Sequence, residues 1–116
     1  MIAALTTYFD AIDTGDYATA YAQLAPSLQA HQTSANFSSA LATTYNYNVQ
    51  VQSLTEPSSG TAVVNLSFTS LQSPSESPDG DSCDNWSLTY TLSEIGGSWL
   101  IQSSTGQGGA VPYQSC

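Results

Sequence analysis

Neither lysine nor arginine occurs among the 116 residues of this chain. With average usage of the two together near ~11%, their joint absence would arise by chance about once in a million chains of this length. The nine carboxylates therefore have no Lys or Arg to pair with, and only His31 and the chain amine remain as cations. Stability must come from burial, hydrogen bonds and covalent links. The formal net charge of −9 argues against nucleic acid and anionic membrane surfaces as partners, because binding to a polyanion runs on Lys and Arg contacts to phosphate. It also keeps the surface self-repelling and leaves no site for trypsin-like proteases. Two explanations of the composition stay open: a secreted acidic protein that has drifted, or an engineered scaffold free of Lys and Arg.

Other absences narrow the class further. No apolar run approaches the length of a membrane span, so this chain is not expected to insert into a membrane. No basic leader or cleavage site precedes the first pattern, and Met1 runs straight into a helical one. The expectation is a mature form, or a domain taken from a longer protein. Cysteine is scarce: Cys83 and Cys116 are the only two. They form no CxxC motif and no zinc-ligand spacing, and no cofactor or metal is expected. An even count in a Ser/Thr/Gln-rich acidic chain points to an oxidising compartment, extracellular or at the cell surface. A Cys83–Cys116 bridge would close a loop of roughly 33 residues and contribute about 3–4 kcal/mol by the chain-entropy argument. It would staple the Gly-rich tail, residues 105–116, to the domain formed by residues 1–104. Free thiols and an intermolecular bridge are the alternatives.

What is present is an ordered change of period. Leu5, Phe9 and Ile12 recur at helical spacing with Ile2 and Tyr8 beside them, one apolar stripe. Gly15 falls where a helix commonly ends in a left-handed residue, and Asp16 is placed to cap a second helix. That helix carries Tyr17, Ala20, Tyr21 and Leu24, and Pro26 ends it or opens a short third turn. Residues 34–45 read as a further helix with Ser34 as its cap. The period then becomes two. Tyr47, Val49 and Val51 alternate with Asn48, Gln50 and Gln52, a half-buried strand. After the turn at residues 56–60, Ala62, Val64, Leu66 and Phe68 form a longer one. Residues 72–85 hold no apolar side chain except Cys83 and read as a long exposed loop. Trp86, Leu88, Tyr90 and Leu92 make a third strand. Gly96-Gly97 supplies a hairpin turn, and Trp99-Leu100-Ile101 opens a fourth strand that ends near Ser104, with coil beyond. Helices followed by an antiparallel meander make an α+β domain.

Several of these residues resemble a known family. The run Tyr8-Phe9-x-Ala11-Ile12-x-x-Gly15-Asp16-Tyr17-x-x-Ala20-Tyr21-x-x-Leu24 is similar to the opening of NTF2-like (SnoaL/ketosteroid isomerase-like) domains. Trp86-x-Leu88-x-Tyr90-x-Leu92 and Gly97-x-Trp99-x-Ile101 look like their last two strands. The resemblance spans about residues 2–104. It implies N-terminal helices packed in a strongly curved four-stranded antiparallel sheet, a cone with a pocket. A Cys before the Trp strand and another at the C-terminus look like extracytoplasmic actinobacterial members.

Such a fold hosts enzymes and non-catalytic modules alike. An isomerase of this kind needs a carboxylate base in the pocket, and no carboxylate falls on a predicted strand interior. Asp10, Asp13 and Asp16 belong to helix surfaces or caps. His31, the sole histidine, lies after the Pro26 segment with no carboxylate spaced to orient it. Asp79-Gly80-Asp81-Ser82-Cys83-Asp84-Asn85 gathers oxygen ligands but lacks the closing Glu of a calcium loop, and reads as a solvated turn. Tyr8, Tyr21, His31 and Tyr90 remain as pocket candidates. The leading expectation is a non-catalytic binding or assembly module, with a protein partner or self-association. The alternative is a protein or enzyme that holds a small apolar ligand in the cone pocket.

Overall fold

Gly15 adopts φ +78°, a conformation that costs an L side chain but not glycine. Asp16 N–H then donates to the Ala11 carbonyl at 2.8 Å and Gly15 N–H to Ile12 at 3.1 Å. These are the paired bonds of a Schellman ending, which satisfy carbonyls the helix leaves open. Asp16 caps the next helix by accepting from the Thr19 backbone N–H at 3.3 Å and from the Thr19 hydroxyl at 2.7 Å. The predicted corner thus joins α1 (Ile2–Asp13) to α2 (Tyr17–Ala22). The computed structural model describes residues 2–76, 80–107 and 111–116.

Two short helices follow, α3 (Pro26–Gln29) and α4 (Ser34–Ala40). Pro26 sits in the first turn of α3, where its missing N–H is harmless. Thr33, one residue before the expected Ser34, caps α4 by accepting from Asn36 N–H at 3.2 Å. The helix stops at Ala40, short of the expected Tyr45. The β-branched Thr43 and Thr44 that follow are weak helix formers.

The sheet is an antiparallel meander of β1 (Tyr45–Ser58), β2 (Thr61–Leu71), β3 (Cys83–Ile95) and β4 (Ser98–Gly106), in that order. Gly96 and Gly97, both at positive φ, make the β3–β4 turn. Alternation places Ala62, Val64, Leu66 and Phe68 of β2 on the inner face opposite Leu92, Tyr90, Leu88 and Trp86 of β3. Helix α1 covers this face with Leu5, Phe9 and Ile12, and the buried side chains form one cluster with Ala20, Leu24, Phe37 and Ile101. The helical layer is tied to β4 by Ala25 N–H to Ile101 O and Ile101 N–H to Gln23 O, each 2.8 Å.

Further expectations are corrected. The turn expected at residues 56–60 is shorter, because β1 runs to Ser58. The tail is not all coil: Tyr113–Ser115 form β5, paired with β3 at Asp84–Trp86, beyond the last β3–β4 pair at Leu88. The fourth strand runs to Gly106 instead of ending near Ser104. Segment 72–85 is not one exposed loop. Pro74–Glu76 make a 3-10 turn, Cys83–Asn85 already belong to β3, and Asp84 is fully buried. Residues 77–79 of that segment lie outside the described residues. Cys83 and Cys116 are joined by a disulfide, which fastens β5 to the start of β3. No helix among the described residues is long and apolar enough to cross a membrane.

Candidate functional site

A cavity of about 300 Å³ opens between α1, α4 and the inner face of β1–β3. Its walls are apolar, with Phe9 and Ile12 from α1, Leu41 after α4, and Phe68, Trp86 and Tyr90 from the sheet. Its polar end is formed by Asn46, Ser70 and Gln72. Strand parity explains that polarity. Phe68 and Ser70 are two apart on β2 and share the inner face, as do Trp86 and Asp84 on β3, and Ser70 pairs with both Asn46 and Asp84.

The polar end is a connected network. Trp86 Nε1–H donates to Ser70 Oγ at 2.8 Å, and Ser70 donates onward to Gln72 Oε1 at 2.6 Å. Gln72 Nε2 donates to the Asp81 carbonyl at 2.7 Å and to Asp84 Oδ2 at 3.0 Å. The amide therefore stands between the cavity and the buried carboxylate and orients the hydroxyl that faces the cavity. This overturns the expectation that no carboxylate lies on a strand interior. Asp84 is such a residue, and the polar sequence around it concealed the parity. Asp13 accepts from Asn46 N–H at 2.7 Å, fixing the start of β1 to the end of α1. Burial pushes the Asp13 carboxyl above its ordinary pKa, with the Asn46 backbone bond pulling it back.

Tyr8 and Tyr90 line this cavity and also an adjoining one of about 220 Å³, which His31 joins with Leu28, Phe37 and Ile101. His31 is exposed at the rim. Tyr21 is not brought to either cavity. Its hydroxyl lies within 2.6 Å of the Gln32 carbonyl and 3.0 Å of the Gln29 carbonyl, and Gln29 Nε2 donates back to Tyr21 O at 3.0 Å. It braces the link from α3 to α4. Burial raises the Tyr8 phenol to about 12, and burial with the nearby Tyr8 raises that of Tyr90 well above its ordinary value. Both stay protonated at neutral pH. Asn46, Ser70 and Gln72 were not singled out in the sequence, and Asp84 was read there only as part of a solvated turn. The signal that could have found them was the inward parity of β2 carried two residues past Phe68, and that of β3 carried two residues back from Trp86.

The helical layer held against a curved, unclosed antiparallel meander defines an NTF2-like fold. Solved structures of low sequence identity share it. An NTF2-like protein of unknown function from Shewanella oneidensis superposes with a TM-score of 0.61 at 12% identity, covering 89% of this chain and 92% of that one. A ketosteroid isomerase-like protein from Erwinia carotovora atroseptica gives 0.61 at 13%, covering 88% of each. A structure named as a calcium/calmodulin-dependent protein kinase II association domain, from Xanthomonas campestris, gives 0.63 at 19%, covering 89% and 81%. No family model and no curated protein matches the sequence.

Proposed function

We propose that the protein is an extracytoplasmic binding module that receives a small, uncharged, largely apolar ligand in the 300 Å³ cavity and performs no chemistry on it. The observation that carries this reading is the composition of the lining. Apolar and aromatic walls converge on one neutral polar end, and among the described lining residues the only ionisable groups are Tyr8 and Tyr90. Both phenols are held protonated. A charged ligand would lose its hydration here without a counter-charge, whereas a hydroxyl or carbonyl group can meet Asn46, Ser70 or Gln72. The Cys83–Cys116 disulfide supports an oxidising location.

The test is a titration of the isotope-labelled protein with naphthol and, separately, with naphthoate, read at the Trp86 indole N–H. Naphthol is expected to shift that signal to saturation and naphthoate is not. Ala40→Trp, which fills the cavity mouth from α4, should abolish the response. Equal binding of both compounds, or no shift with either, overturns the reading. A second reading, catalysis on a small molecule, is favoured by the meeting of His31 with Tyr8 and Tyr90 around the adjoining cavity. Turnover of a bound compound that is lost in His31→Gln would replace the first reading with the second.

A further inference from the structure

Strand β1 carries an unusual row for an outer strand. Val49, Val51 and Leu54 are 42%, 46% and 43% exposed, and β1 is the free end of the sheet order. Val49 and Val51 face Ile2, Leu5 and Phe9 of α1 across an open groove of about 230 Å³ floored by Leu66. Phe9 separates this groove from the ligand cavity, for it lines both. Asp10 stands at the groove's rim, and Glu56 lies toward the far end of β1. On the outer face of the same strand Tyr45 and Tyr47 stack at 6.4 Å and are 51% and 42% exposed.

Native edges are commonly guarded by lysine, and this chain has none. The guard here is geometric. Register shifts between Tyr47 and Gln50, Val51 and Ser53, and Thr55 and Ser58 mark bulges in the β1–β2 ladder, which bend β1 and turn its free edge away from a flat pairing. Charge disfavours a second copy too, since each chain carries −9 and no Lys or Arg to offset it. The complementary occupant is cationic.

We propose that the α1–β1 groove docks a short, extended, cationic segment of a partner protein. An apolar side chain of that segment seats on Val49 and Val51, with Lys or Arg on either side of it. A flanking cation faces the Asp10 carboxylate at the groove's rim. The site is separate from the ligand cavity, so its failure would leave the Trp86 titration untouched.

The probe is a short blocked peptide of alternating Val and Lys, with a Val/Glu peptide of equal length as control, titrated into the labelled full chain. Expected are saturable amide shifts confined to β1 and the first turns of α1, weakened at least ~10-fold in a Val49→Ser/Val51→Ser variant and falling with added salt as screening requires. Asp10→Asn should reduce the salt dependence while the melting temperature stays near that of the parent chain. Equal binding of the Val/Glu peptide overturns the proposal, as do shifts elsewhere on the fold. So does sedimentation of the free protein as a dimer that protects the β1 amides, since that would make a second copy the occupant.

Discussion

Tyr8 shows how one side chain reports on its surroundings. It borders both cavities, meets Phe9 edge-on at 5.4 Å and Phe37 at 6.3 Å, and its phenol is raised to about 12 by burial. A folded pKa above the unfolded value means a contribution to stability fully present below pH ~10 and lost as pH rises through 12. Tyrosinate absorbance should therefore reveal two groups, Tyr8 and Tyr90, titrating above the ordinary tyrosine range. Tyr8→Phe should remove one of them and flatten part of the alkaline fall in stability. At Gly15 the argument is conformational. A Cβ there meets nothing within 4 Å, so Gly15→Ala is limited to the strain of φ +78° and should cost about 1–2 kcal/mol in a urea melt.

At the scale of elements, the helical corner and the inner strand rows were legible because their patterns are local. Gly15-Asp16 supplies a helix end and a cap within two residues, and Ala62–Phe68 and Trp86–Leu92 alternate without interruption. Asp84 was not legible. It lies among Ser, Asp and Asn, and only pairing with Ser70 shows that it continues the inner row. Strand β5 was hidden in the same way: Tyr113–Ser115 are too few to signal a strand, and they become one by pairing with β3 at Asp84–Trp86. The outer strand β1 alternates like its neighbours yet is mostly exposed, because α1 reaches its inner side only across a groove.

For the whole molecule the decisive link is the one between tail and cavity. Phe9 contacts Phe68 at 4.9 Å, Phe68 stacks on Trp86 at 6.1 Å, and Trp86 meets Tyr113 at 5.1 Å. The disulfide lies three residues beyond Tyr113 and holds that chain of rings at its outer end. Replacing both cysteines by serine should lower stability by about 3–4 kcal/mol in denaturant, the loop-closure contribution for a separation of 33. The near-ultraviolet circular dichroism of Trp86 should weaken with it as Tyr113 loosens. The division into a unit of residues 1–104 and a stapled tail of residues 105–116 is retained as our proposal. It requires the double variant to keep the far-ultraviolet spectrum of the parent while β5 alone loses amide protection.

The sequence by itself determined the order of the helices and of β1–β4, the capped corner at Gly15-Asp16, and a surface that carries no Lys or Arg. Each depends on residues a few positions apart or on composition alone. Only the tertiary structure decided which polar side chains face inward and where the open volumes lie. Asn46, Ser70 and Gln72 become the cavity's polar end by strand pairing, with Asp84 behind Gln72, and Val49 and Val51 become a groove wall by the position of α1. Register and helix placement are set by contacts between residues far apart in the chain, and no local period records them.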